Sequence, residues 1–296
     1  MTSTREAAVT GYEEIQYEVD DPVATITLSR PEVLNAWTDR MALEVRHAVA
    51  AAEADPRVVG IVITGSGRGF CAGADLSRLS AIGTGERSFV QPTGELSADP
   101  GDPSFGDDLH LGTYTYLMSV PKPVIAAING PVAGMGVPIV LACDLRFMAE
   151  DAVLTTSFSQ RGLVAEWGIS WMLPRLVGTA VALDLLFSSR KITGTEAAVL
   201  RVVNAALPRD DVLRHAQQYV RDLAATASPT SMAIMKRQVY QQLHAGLLAA
   251  ERDAYRLMLE SFGRPDFREG VQSYLERRPP EFERLAASAK AQAESA

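Results

Sequence analysis

Three short stretches hold the residue types that could do chemistry. In Gly69-Phe70-Cys71-Ala72-Gly73-Ala74-Asp75, the glycines let another group approach the backbone closely. Gly134-Met135-Gly136 stands at the start of a predicted helix, where N–H groups lack intrahelical partners and the local potential is positive, which suits an anionic oxygen. Gly162-Leu163-Val164-Ala165-Glu166-Trp167-Gly168 sets one carboxylate among apolar and aromatic neighbours. Burial of that kind raises a carboxyl pKa and makes the group a better base near neutrality. Backbone donors for a developing oxyanion, with one general base, would serve proton abstraction beside a carbonyl. Taken alone, the two glycine stretches read as ordinary turns, and Glu166 also allows the reading of a solvated loop residue.

Other groups carry less. His47, His110, His215 and His244 are far apart and show no metal-ligand spacing, so no metal site is expected. His110, with Asp107 and Asp108, borders a polar loop and is the histidine that could reach a pocket. Ser170 lacks a Gly-x-Ser-x-Gly elbow, and Gly65-Ser66-Gly67-Arg68-Gly69 lacks the Lys-Ser/Thr ending of a phosphate loop. Cys71 and Cys143, two thiols in 296 residues, make no disulfide framework and point to a reducing, cytoplasmic compartment. The net charge of −8 argues against a nucleic-acid partner. No uninterrupted run of about 18 apolar residues predicts a membrane helix, and the polar N-terminus does not resemble a signal peptide.

The elements that must position these residues read as an α/β chain. Strands are predicted near Ile15 to Val19 and Val23 to Leu28, then a helix opened by Thr38-Asp39 with Met41, Val45, Ala48, Val49 and Ala52 on one face. Val58 to Thr64 and Val124 to Ile128 are nearly all apolar, as strands buried on both faces are. Asp144 to Met148 is a further strand and Gly134 to Ala142 a helix. The Gly-, Pro- and Ser-rich segment from Gly83 to Asp108 predicts a mobile loop, followed by a helix from Leu109 to Ser119. Beyond Ala180 the pattern is helical: Ala180 to Ser188, Thr195 to Arg201, Asp211 to Ala225, and a long stretch from Ser228 to Ser261. Asp266 is placed to cap a helix from Phe267 to Glu276, and Pro279-Pro280 to precede a last one.

Five stretches in this order resemble the crotonase (enoyl-CoA hydratase/isomerase) superfamily. They are Arg30-Pro31-Glu32-Val33-Leu34-Asn35-Ala36, Gly69 to Leu76, and Pro121 to Gly130 with Cys143-Asp144, then Leu173-Pro174-Arg175-Leu176-Val177-Gly178, and Asp266 to Gly270 with Arg277 to Phe282. The resemblance covers about residues 12 to 285. It implies a spiral of ββα units over 12–207, a helical C-terminal trimerisation region over 208–285, flexible tails at 1–11 and 286–296, and a homotrimer or dimer of trimers. The implied substrate is an acyl-CoA, with coenzyme A part of the substrate and no separate cofactor. The implied oxyanion hole is the backbone N–H of Ala74 with that of Met135. Val33, Ala36, Ala72, Asp75, Leu76 and Gly134 match positions of the substrate and CoA groove.

The resemblance also separates reactions. The hydratases use two glutamates around a water; the matching positions here are Pro138 and, by an ungapped count back from Gly162-Leu163, Phe158. The segment Arg161 to Gly178 is similar to peroxisomal-type Δ3,Δ2-enoyl-CoA isomerases, whose catalytic glutamate matches Glu166. Such an isomerase needs one carboxylate and no water, and Phe158, Trp167 and Trp171 would give it an apolar pocket. The expected activity is therefore 3-enoyl-CoA to 2-enoyl-CoA isomerisation. The alternatives are hydration, thioester hydrolysis, C–C cleavage, and acyl-CoA binding without catalysis.

Overall fold

A computed structural model describes residues 11–75, 80, 83–86 and 96–285. Leu76 and most of the two anticipated tails lie outside the described residues, as does part of the Gly83 to Asp108 segment.

The chain begins with β1 (Ile15–Asp20), which pairs antiparallel with β2 (Val23–Leu28) so that Ile15 faces Leu28. Helix α1 (Asp39–Ala54) follows; the Thr38 side chain caps it by accepting the Met41 N–H at 3.0 Å, satisfying one free donor of the first turn. Met41, Val45, Ala48, Val49 and Ala52 are buried, the apolar face that the spacing predicts. Strands β3 (Gly60–Gly65) and β4 (Val124–Ile128) are buried at every position. Both run parallel inside the main sheet, where helices cover each face and near-continuous apolar runs are required.

Between β4 and the next long strand lie β5 (Val132–Ala133) and helix α3 (Gly136–Ala142), and β6 (Leu145–Ala149) then returns to the main sheet. After β7 (Val153–Thr155) come α4 (Ile169–Val177), α5 (Thr179–Ser188), β8 (Ile192–Thr193), α6 (Gly194–Val199) and β9 (Ala205–Leu207). The main sheet has the order β1-β2-β3-β4-β6-β9, and a small sheet has β5-β7-β8. Helix α7 (Val212–Thr226) places Val212, Ala216 and Val220 in the core. Val220 packs over β3 where a Cβ on Gly60 would meet its Cγ1 at 2.9 Å. Pro208, near which the sequence suggests a boundary, lies between β9 and α7, and α7 packs on the sheet.

Several expectations need correction. Leu109 to Ser119 is not one helix: α2 (Asp107–His110) is followed by a 3-10 turn at Thr115–Ser119. The break is at Gly112, where a Cβ would lie 1.8 Å from Thr115 Oγ1. The long helical stretch from Ser228 is two helices, α8 (Pro229–Gln242) and α9 (Leu247–Phe262), because Gly246 is extended. Helix α10 (Pro265–Glu276) begins at its proline, and Asp266 sits in the first turn accepting the Ser228 hydroxyl instead of capping. No helix follows Pro279-Pro280 up to residue 285. The stretch 98–105 of the expected mobile loop is anchored: Arg46 Nε donates to Ala98 O at 2.7 Å, Gly101 N–H donates to Glu53 at 2.6 Å, and Phe105 is buried. No helix among the described residues is long and apolar enough to cross a membrane.

Candidate active site

The loop after β3 is held so that the Ala74 N–H is left over. Asn35, buried and in left-handed backbone with φ 56°, donates to Ser66 O at 3.0 Å and to Gly69 O at 2.9 Å. Asn129 Oδ1 accepts the Gly65 N–H at 3.1 Å. Phe70 and Cys71 both donate to Pro131 O, at 3.0 and 3.1 Å, and Ala133 donates to Cys71 O at 2.9 Å. Trp37 N–H then donates to Gly73 O at 2.7 Å, and Asp75 N–H donates to Trp37 O at 3.0 Å. In this parallel bridge the groups of residues 73 and 75 face Trp37, so the N–H of Ala74 faces the opposite edge. It has no partner among the described residues.

A second free N–H stands beside it. Gly134, with φ 47°, donates to Thr155 O at 3.2 Å and accepts from Val137 N–H at 3.0 Å. Met135 is the next residue, at the N-terminus of α3, and its N–H likewise has no partner among the described residues. The two backbones abut: a Cβ on Gly73 would lie 3.2 Å from Ala133 O, and one on Gly134 would lie 3.7 Å from Gly73 Cα. Gly73 also has φ 106°, so glycine is needed there for conformation and for space.

Ala74 and Met135 both line a cavity of about 920 Å³. Of the residues expected in the groove, Val33, Ala36, Ala72, Ala74, Asp75, Gly134, Met135 and Glu166 all line it. The Asp75 carboxylate is held by Arg30 Nη1 at 3.2 Å. Phe158 and Trp167 line the cavity too; Pro138 is buried within α3 and does not. Trp171 is a correction: it stacks on His244 with ring centroids 5.4 Å apart, under the Arg175 guanidinium at 4.0 Å, away from the cavity. His110 is buried, with Nε2 3.5 Å from the Asp99 carboxylate, and neither it nor Asp107 or Asp108 lines the cavity. Cys71 is buried in the wall, and burial pushes its thiol up to about 12.

Glu166 belongs to a tight turn. Its carbonyl accepts the Ile169 N–H at 3.0 Å, and the two residues between, Trp167 and Gly168, have φ 55° and φ 80°. Two positive φ angles across such a bond make the turn of the I′ kind, where glycine and asparagine are usual. A tryptophan at the first of them costs about 1–2 kcal/mol of backbone energy. The Trp167 indole N–H donates to Glu166 Oε2 at 3.1 Å. Burial raises the Glu166 carboxyl above its ordinary value, and the indole bond opposes that rise.

Arg68, Thr156, Ser157, Arg161 and Leu163 also line the cavity and were not anticipated as site residues. The hydroxyls are placed by β7, a three-residue strand with little signal of its own. Arg68 lies inside a glycine-rich run that reads as a turn. Thr155 Oγ1 donates to Ser189 O at 2.7 Å, and Thr156 Oγ1 to Leu185 O at 3.0 Å, which ties this wall to α5 and its end.

Known proteins resemble this chain over most of its length. The sequence matches the family described as Enoyl-CoA hydratase/isomerase over residues 18–99 and 101–285. It is 36% identical over 278 residues to a Rhodobacter capsulatus protein named a probable enoyl-CoA hydratase, covering 92% of this chain and 98% of that one. It is 31% identical over 271 residues to the 1,2-epoxyphenylacetyl-CoA isomerase of Escherichia coli, covering 91% and 98%. The crystal structure of a probable enoyl-CoA hydratase/isomerase from Mycobacterium abscessus superposes with a TM-score of 0.78 at 29% identity, covering 92% and 99%.

Proposed function

This chain belongs to the enoyl-CoA hydratase/isomerase family, and we propose that within it the protein shifts the double bond of a 3-enoyl-CoA to give the 2-enoyl-CoA. The observation that carries this reading is Glu166: a part-buried carboxylate with a raised pKa, on the wall of the cavity also lined by Ala74 and Met135, whose N–H groups have no partner among the described residues. The other two carboxylates that line the cavity among the described residues fit the task less well. Asp75 is paired with Arg30, and Glu32 lies exposed in the short turn at Pro31–Val33.

In the proposed reaction the thioester oxygen accepts from the N–H groups of Ala74 and Met135. Glu166 takes a proton from C2, and the charge spreads over the oxygen, C2 and C4 as a dienolate. The same carboxyl then returns the proton at C4, leaving the double bond between C2 and C3. Each preorganised donor contributes about 2.7–4 kcal/mol to lowering such a barrier. The groove of Val33, Ala36, Ala72, Asp75, Leu76 and Gly134 would hold the CoA portion, Leu76 lying outside the described residues. Coenzyme A enters with the substrate, and this chemistry calls for no separate cofactor. The exposed apolar face of α9 and α10, with Leu247, Tyr255, Leu259, Tyr274 and Leu275, supports assembly into a trimer or a dimer of trimers, which light scattering would measure.

Hydration is the second reading, because a relative carries a hydratase name. Against it, Phe158 fills one position of the expected acid pair and Pro138 is buried away from the cavity. Side-by-side assays of 3-enoyl-CoA isomerisation and 2-enoyl-CoA hydration, with wild type and Glu166→Gln, test the choice. The expected result is isomerisation that falls about 10²–10⁴-fold in the variant. Undiminished isomerisation in Glu166→Gln overturns the proposal; binding without any turnover favours an acyl-CoA carrier.

A further inference from the structure

Trp167 sits where the backbone resists a tryptophan, at φ 55° in the first central position of the Glu166 turn. Residues held in such conformations persist only when their surroundings over-determine them. Here the surroundings are specific. The indole N–H donates to Glu166 Oε2 at 3.1 Å. The ring meets Tyr114 edge-on, with centroids 5.4 Å apart and planes at 84°. Tyr114 in turn meets Trp37 edge-on at 5.8 Å and 75°. Trp37 forms the parallel bridge to Ala74 that leaves the Ala74 N–H free. The turn also rests on the residue after Tyr114: a Cβ on Gly168 would be 3.6 Å from Thr115 Cγ2. Three aromatic rings therefore run from the residue that fixes one backbone donor to the carboxylate across the cavity.

We infer that Trp167 is a positioning residue, acting through Glu166. Its N–H fixes the carboxylate oxygen that does not take the proton, and the Tyr114–Trp37 strut fixes the ring relative to Ala74. The strut sets the separation between base and oxyanion donor, and proton transfer depends steeply on that geometry. A hydrogen bond donated to a carboxylate favours its charged form. The same contact therefore offsets part of the rise that burial imposes and keeps Glu166 available as a base. The inference rests on the proton-shuttle reading of Glu166.

Trp167→Phe removes the N–H and keeps an aromatic ring facing Tyr114. The acid limb of the kcat/KM profile for 3-enoyl-CoA isomerisation should move to higher pH. On the acid side of the wild-type limb kcat should fall about tenfold, as for loss of a bond to a charged group, with KM little changed. A 13C titration of the Glu166 carboxyl, assigned with Glu166→Gln, should move to higher pH as well. Tyr114→Leu should lower kcat in the wild type and add little to Trp167→Phe, since both act through one ring. An unmoved carboxyl titration with an unmoved acid limb in Trp167→Phe overturns the inference and leaves Trp167 as packing. A moved titration in a protein whose Glu166→Gln variant still turns over keeps the positioning and removes the shuttle reading instead.

Discussion

The two walls of the cavity are built by opposite means. On one side, residues 69–75 and 133–135 offer backbone N–H groups, and their identity as side chains matters little. What matters there is the missing Cβ at Gly73 and the sheet pairing that turns the Ala74 N–H outward. On the other side, the Glu166 turn offers a side chain, and its backbone is in a conformation that its own sequence disfavours. The donor wall draws its rigidity from strands and from the side chains of Asn35 and Asn129, so it needs no contact from the ligand to be ready. The base wall draws its rigidity from three rings and one hydrogen bond. Substitutions should therefore hurt the two walls differently: a methyl group injures the first, and a lost polar atom injures the second.

Gly73→Ala is the strongest test of that contrast. The new Cβ would press on Ala133 O from 3.2 Å, in backbone at φ 106°, and must push the Ala74 N–H off its line. Loss of one donor predicts a fall in kcat of about 10²–10³-fold, with the acid limb of the pH profile where it was. If the limb moves as well, the displacement has passed through Trp37 and Tyr114 to the Glu166 carboxylate.

A smaller test uses pH alone. A base works in its deprotonated form. Glu166 is raised by burial, so activity should rise with pH through a value above the ordinary glutamate range. Below that value it should fall about tenfold per unit, as for any single titration. Phe158, which lines the cavity, keeps the base side apolar. Phe158→Asn should therefore lower the limb toward the ordinary value while leaving Gly73→Ala effects unchanged. A limb at the ordinary value in the wild type would mean that Glu166 is solvated when substrate is bound.

How far the sequence reveals these walls follows the same division. The buried strands β3 and β4 and helix α1 are legible, because their apolar patterns are long and periodic. The glycines around Ala74 and Met135 are legible as stretches with spare backbone, though nothing in them tells which N–H is free; that depends on the Trp37 bridge, thirty-odd residues earlier in the chain. The strands β5, β7, β8 and β9 are two or three residues long, too short for any period to show. Thr156, Ser157 and Arg161, which those strands and their turns position, went unseen with them. Trp171 and Trp167 look alike in sequence, and only the left-handed turn sends one to the cavity and the other to His244.

The smallest expected effect belongs to the rim, where neither kind of rigidity operates. Val33 lines the cavity yet is 39% exposed, and it ends a short 3-10 turn with no buried residue. Val33→Ala removes two carbon atoms that are only partly covered. At about 0.8 kcal/mol per fully buried methylene, roughly half of that burial gives a rise in KM of about threefold to fivefold. The contact is made equally before and during reaction, so kcat should hold. A change in kcat instead would place Val33 nearer the reacting carbons than its exposure allows, and would extend the donor wall from the backbone of Ala74 out to the side chains of the Pro31–Val33 turn.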